Sequence, residues 1–117
     1  MKYLDYCLQK AKEIPYVRHQ QRHYAIVVDK RGRIVAEAAN SYVKTHPQMA
    51  RVSKKLGLDK TFCHAEQLAL VRARGKGCKL FVARVDSKNR PVYSSPCRVC
   101  TELIKESGHI KSVEFTV

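Results

Sequence analysis

The 117-residue chain reads as an α/β protein, a three-layer α/β/α arrangement around a mixed sheet of about four strands. Three observations lead there. Between Tyr24 and Ala39, two short apolar, β-branched stretches flank a compact turn, the pattern of an antiparallel hairpin. From about residue 63 onward, helix-period stretches alternate with apolar strands, which implies a parallel crossover. Finally, 117 residues suffice for one hydrophobic core but not two, so residues 1–117 are expected to form a single domain.

The first element is an amphipathic helix over residues 2–14. Leu4, Cys7, Leu8, Ala11 and Ile14 recur at three- and four-residue spacing, and Pro15 stops the helix. Tyr24 to Asp29 is the first strand, Lys30-Arg31-Gly32 turns the chain, and Arg33 to Ala39 returns as the second. Residues 40–46 form a polar loop. Pro47 opens a short helix and Gly57 closes it; Met49, Val52 and Leu56 share its buried side, leaving Arg51, Lys54 and Lys55 outward. A further helix spans about Cys63 to Arg74, with Ala65, Leu68, Ala69 and Arg72 spaced for one face. Cys78 to Val85 is a strongly apolar strand. A polar turn, Asp86 to Arg90, leads through Val92-Tyr93 to Ser94-Ser95-Pro96. The last long helix runs from Cys97 to about Ser107 and ends at Gly108, a residue suited to the left-handed C-terminal position. Ile110 to Val117 closes the chain as a strand.

Composition narrows the function classes. A hydrophobic fraction of 44% is that of a globular chain. There is no apolar run of membrane-spanning length, and Met1-Lys2-Tyr3-Leu4-Asp5 lacks a signal peptide's apolar stretch, so a cytoplasmic protein without a membrane partner is expected. The five cysteines, Cys7, Cys63, Cys78, Cys97 and Cys100, are odd in number, which favours reduced thiols or metal ligation over a disulfide framework. The formal charge of +13 draws phosphorylated or polyanionic partners. General surface basicity that only aids solubility is the plainer alternative.

Two motifs carry chemistry: His64-Ala65-Glu66, and further on Pro96-Cys97-Arg98-Val99-Cys100. Cys97 and Cys100 stand one helical turn apart at a helix start, both able to point at one ion, where helix N-terminus and metal together favour thiolate. His64, at the start of the preceding helix, gives a third ligand. Three protein ligands leave a fourth position for water, which a zinc ion ionises near neutral pH. Glu66 is close enough in sequence to act on that water without binding the metal. Taken separately, a C-x-x-C is a redox pair and an H-x-E is chance; together, each heading a helix with a strand between them, they are far more specific. Cys63 as a fourth ligand would make the site structural. Adjacent helix residues face different ways, however, so Cys63 is expected to be a packed thiol, as are Cys7 and Cys78.

The pattern H-x-E…P-C-x-x-C resembles that of the cytidine deaminase superfamily of zinc-dependent nucleobase deaminases. The resemblance covers nearly the whole chain in element order, and its specificity lies in the two motifs. It implies Zn2+ held by His64, Cys97 and Cys100, and hydrolysis at the ring carbon bearing the amino group. Glu66 would protonate the ring nitrogen and then the leaving amine, releasing ammonia. Asn40 stands just after the second strand, where many members place an asparagine that touches sugar or base; as a plain residue it is a good turn former. Lys44, His46, Ala65 and Ser95 are the further substrate-contact candidates. Having histidine rather than cysteine as first ligand is closer to the deoxycytidylate, tRNA and polynucleotide branches than to free-cytidine enzymes. The stretch Asn40 to Pro47 is similar to small deaminase-like proteins of phage genomes. Larger relatives continue with another strand and helices lining the pocket, so either a homo-oligomer completes the site or the pocket is open.

Two substrate classes compete. One is cytosine in a nucleotide such as dCMP, its phosphate held by Lys44 or Arg51. The other is cytosine or adenine within single-stranded DNA or RNA. The charge, Arg18 to His23, and Arg72 to Lys76 favour the polymer; the scarcity of aromatics, with Tyr42 and Tyr93 the candidates near the site, opposes it. A basic helix at 47–56 serves either as a substrate-facing element or as an ordinary solvated surface. A third class, a non-catalytic zinc-stabilised binding module, has no use for Glu66.

Overall fold

The computed structural model describes residues 3–18, 20–42, 47–57, 64–94 and 96–116. In chain order the elements are α1 (Tyr3–Glu13), β1 (Arg22–Val28), β2 (Ile34–Ala39), α2 (Pro47–Lys55), α3 (Ala65–Ala73), β3 (Lys79–Val85), β4 (Pro91–Val92), α4 (Arg98–Ser107) and β5 (Ser112–Phe115). The α/β class and the mixed sheet are as the sequence predicts.

β1 and β3 form the centre of the sheet, antiparallel, with register running from Arg22 opposite Val85 to Val28 opposite Lys79. β2 pairs antiparallel with the other edge of β1, with an irregularity between Val27 and Val28. The second edge of β3 is shared. β5 runs parallel along Lys79 to Val82, and β4 runs antiparallel against Arg84 and Val85. The parallel pair is the one joined through α4, as a crossover requires. Among the described residues the sheet thus has five strands, where the sequence suggests about four. The extra one, β4, is two residues long and begins with proline, too short to show any alternation.

The alternation of β1 builds the layers. Ala25 and Val27 turn to one face and pack with Ala36, Ala38, Leu80, Val82 and the α3 stripe Ala65, Ala69, Ala73. Ile26 and Val28 turn to the other and meet Phe81, Ala83 and Cys7 of α1. Each fully buried Ile or Val contributes about 1.5–3 kcal/mol through burial alone. Alanines at i, i+4 and i+8 let α3 lie close on the sheet. α1 is further tied down by polar contacts: the Tyr6 hydroxyl donates to Glu37 Oε1, which also accepts from Tyr24 of β1. The Tyr3 hydroxyl donates to the Gly32 carbonyl at 2.6 Å.

α2 docks on α4. Val52 is fully buried with Val99 and Leu103, and Leu56 packs beside it. Arg51 reaches Glu106 at 2.7 Å and Lys55 reaches Glu102 at 3.0 Å, so two of the three outward cations of this helix face α4 carboxylates. The side chain of Met49 lies outside the described residues. α3 differs from its expected face: Arg72 is exposed and donates to the Glu37 carbonyl at 2.8 Å, while Glu66 and Gln67 are buried. The reason is that α3 has α4 on one flank as well as the sheet below it, which shifts the buried arc toward positions 66 and 67.

One glycine is dictated by close approach. Gly77 has φ +90°, and a Cβ there would stand 2.3 Å from Val27 Cγ1. Among the described residues no helix is long and apolar enough to cross a membrane.

A candidate metal centre at two helix N-termini

Opposite polarities of β1 and β3 bring the start of β1, the end of β2 and the end of β3 to one end of the sheet. His23 pairs with Arg84, and the Asn40 backbone N–H bonds the His23 carbonyl at 3.2 Å. The N-termini of α3 and α4 arrive at the same end. His64 is the N-cap of α3 and Cys97 the N-cap of α4, both extended and neither making a side-chain cap bond. Their side chains turn instead toward each other.

His64 Nδ1 lies 3.2 Å from Cys100 Sγ and 3.4 Å from Cys97 Sγ. One ligand atom from each of the three residues falls within 4.8 Å of the others. A zinc ion bonded at about 2.1 Å to nitrogen and 2.3 Å to sulfur separates two such ligands by roughly 3.6 Å in a tetrahedron, so the set fits the ion. Electrostatics agrees. The Cys97 thiol is brought down to about 3, chiefly by hydrogen bonding from Cys100 and then by His64, against the opposing effect of burial. Cys100 is correspondingly pushed up, by its bond to Cys97 and by burial. Two sulfurs sharing a proton beside an imidazole are a site that a divalent cation satisfies, with release of that proton.

Glu66 is only 3% exposed, and its Oε1 has no hydrogen-bond partner. Burial is the main force raising its proton affinity; Cys97 adds to it, while the backbone N–H and His64 oppose. The carboxyl is close enough to Cys100 that each shifts the other's proton affinity. A carboxyl so placed holds a proton more readily than a solvated one.

The other sequence candidates divide. Ala65 is fully buried in the core beneath α3, so only its backbone is available to a ligand. The Asn40 amide is in use: Oδ1 accepts from the His23 N–H at 3.0 Å and Nδ2 donates to the Gln21 carbonyl at 3.0 Å. One amide hydrogen and one lone pair remain. Lys44, His46, Ser95 and Cys63 lie outside the described residues. Cys7 is a core thiol, its Sγ 3.6 Å from the Phe81 carbonyl. Of the two basic stretches, residues 20–23 of the first enter β1 at the metal end of the sheet. Residues 72–76 lie at the far end of α3, roughly 10 Å or more along its axis.

From sequence, His23 stands out only as part of a basic stretch, and Arg84 not at all. His23 and Arg84 face each other on the sheet side that packs against α3, and His23 Nε2 and Arg84 Nε are buried without partners. The His23 ring is held down to about 4 by burial first, then by Arg84 and His64. A histidine and an arginine continuing the inward parity of Ala25 and Leu80–Val82 were the available signal.

A family model described as the cytidine and deoxycytidylate deaminase zinc-binding region matches residues 1–117. Comparison with curated protein sequences finds no significant match. Among solved structures, the chain is similar to the cytidine deaminase from Burkholderia pseudomallei, with 19% identity and a TM-score of 0.57 over 94% of this chain and 80% of that one. It is also similar to the cytidine deaminase from Mycobacterium tuberculosis, with 23% identity and a TM-score of 0.50 over 92% of this chain and 77% of that one.

Proposed function

The chain belongs to the cytidine and deoxycytidylate deaminase family, a zinc-dependent family, and from that premise we propose that it deaminates cytosine in a deoxycytidine or cytidine nucleotide such as dCMP. The observation that carries the reading is the convergence of His64, Cys97 and Cys100 beside the buried carboxyl of Glu66, whose Oε1 has no hydrogen-bond partner.

His64 through Nδ1 and the two sulfurs would hold Zn2+, leaving one position open to water. When bound, the ion supplies Lewis acidity that makes water a nucleophile near neutral pH. The chain's residues do the rest. The N-termini of α3 and α4 direct positive partial charge at the two sulfurs and favour the ionised form of Cys97. Glu66, with its proton affinity raised by burial, takes the proton of the attacking water, passes it to the cytosine ring nitrogen, and later delivers a proton to the departing amine. The balance is cytosine plus water to uracil plus ammonia. Asn40 offers its remaining amide hydrogen to the sugar, and Lys44, His46, Ser95 and the Ala65 backbone complete the contacts. We take residues 1–117 as one such domain.

The polymer reading draws on the +13 charge and on the exposed Tyr16, Tyr42 and Tyr93. The Tyr42 hydroxyl accepts from the Gln21 N–H at 2.7 Å, and the Tyr93 ring stands edge-on to Phe115. Three exposed tyrosines among the described residues are a sparse stacking platform, so we favour a mononucleotide.

The test is a mass-spectrometric deamination screen of zinc-loaded protein against cytidine, deoxycytidine, their monophosphates, adenosine, single-stranded DNA and tRNA, with Glu66→Ala as control. Conversion of a monophosphate is the expected result. Conversion only within a polymer refutes the nucleotide assignment, and activity surviving Glu66→Ala refutes the proton-shuttle role.

A further inference from the structure

A cavity of about 370 Å³ runs between α3 and α4. Its α3 wall includes Gln67, Leu70 and Arg74, which share one face of the helix; its α4 wall includes Leu103 and Glu106, and α2 adds Arg51. Gln67 is the unusual member. It is only 1% exposed, and neither its amide oxygen nor its amide nitrogen has a hydrogen-bond partner. A buried amide in that state destabilises a fold, where an apolar side chain of similar size would not. Arg74 also departs from the ordinary. Its backbone is left-handed, φ 52°, a conformation that favours glycine, and its guanidinium makes no hydrogen bond or ion pair among the described residues. The one carboxylate in the lining, Glu106, is already held by Arg51 at 2.7 Å and Lys55 at 3.5 Å.

A side-chain amide with both ends free offers a donor and an acceptor side by side, which matches the C=O and N–H of a peptide backbone. Gln67 and Arg74 are seven positions apart, about 10 Å along the helix, the length of about three residues of extended chain. Leu70 and Leu103 supply apolar surface along that path. Charge selects the occupant. With Glu106 engaged, Arg74 is left to attract a carboxylate, and a second copy of this chain, itself at +13, is repelled.

We infer that the groove between α3 and α4 is a docking site for an extended acidic segment of a partner protein, its backbone amide read by Gln67 and its carboxylate held by Arg74. The inference does not rest on the deaminase reading, in which Gln67 and Arg74 touch neither metal nor substrate.

The experiment titrates fluorescein-labelled hexaglutamate with the full chain by fluorescence anisotropy, as wild type, R74G and Q67L. Backbone N-methylated hexaglutamate is the second probe, equal in charge but without the N–H donors. R74G is expected to weaken hexaglutamate binding about 10- to 100-fold, and Q67L about fivefold to tenfold. N-methylation should weaken wild-type binding by about the same factor as Q67L and cost nothing further in that variant. Thermal midpoints of both variants should equal or exceed that of wild type, because glycine suits the left-handed position and leucine needs no partner. Lost binding is thereby separated from lost folding. No binding by wild type, binding indifferent to R74G, or N-methylation acting equally on wild type and Q67L would each overturn the site. A lowered midpoint in Q67L would make the amide structural instead. Self-association seen by light scattering and abolished by R74G would give the groove to a second copy. A thymidine oligonucleotide bound with the same dependence on Gln67 and Arg74 would give it to nucleic acid.

Discussion

His64 Nδ1 and Cys100 Sγ stand 3.2 Å apart although 36 positions separate them in sequence and they belong to different helices. Their meeting is produced by α3 and α4 ending at the same end of the sheet, each with its N-terminus inward. Both helices forgo a side-chain N-cap bond to achieve it, which costs about 1 kcal/mol apiece in an ordinary helix. Metal binding offsets that cost and more.

Removing the carboxylate of Glu66 while keeping its shape separates chemistry from architecture. Glu66→Gln is expected to lower kcat by about 10²–10⁴-fold, the range for loss of a positioned proton carrier. Zinc content by mass spectrometry should stay at the wild-type level. Loss of zinc along with activity would assign Glu66 to the metal instead.

Cys100→Ser should weaken zinc affinity by at least about 100-fold, since losing a direct ligand exceeds the usual effect of losing a supporting partner. Chelation of the wild type should lower the thermal midpoint, because binding energy at these helix starts is folding energy. A midpoint unchanged by chelator would show that the two N-termini hold together without metal.

His23 makes stability depend on pH. Its ring is held at about 4 in the fold, below the ordinary value of 6.5. The neutral ring's contribution is therefore fully present above about pH 6.5 and is lost as pH falls toward about 4. Up to about 3 kcal/mol is at stake, the upper limit for a shift of that size. Metal-free wild type and His23→Asn should diverge in denaturant midpoint across that window, the variant falling less steeply. Parallel curves would rule out a buried neutral imidazole.

Gly77→Ala should destabilise the chain by about 2–4 kcal/mol, through both the positive φ and overpacking. The new methyl group would press on Val27, a core residue of β1 whose backbone cannot move without breaking the register with β3. A denaturation midpoint within error of wild type would mean that the turn relaxes freely.

Tyr24→Phe removes one of two hydroxyls bound to Glu37 Oε1 and should cost about 1 kcal/mol or somewhat more. Combining it with Tyr6→Phe should be non-additive, because both donors share one acceptor oxygen. Strict additivity in a double-mutant cycle would refute the shared acceptor.

What the amino-acid sequence determined by itself is what depends on near neighbours. The three- and four-residue spacing from Leu4 to Ile14 gives α1, and the apolar run from Leu80 to Val85 gives β3. Cys97 and Cys100, one helical turn apart, declare themselves as a pair with a single target. Tertiary structure alone decided the rest. β4 exists only as a partner for Arg84 and Val85, and the arc of α3 that is buried depends on α4 lying against it. Whether residues 20–23 or 72–76 stand at the metal end follows from strand direction, not from charge. Arg84 and His23 face one another only because β1 and β3 are antiparallel in that register. Register, helix rotation and crossover minimise the free energy of a whole core, to which many distant contacts contribute. No local run of residues contains that sum.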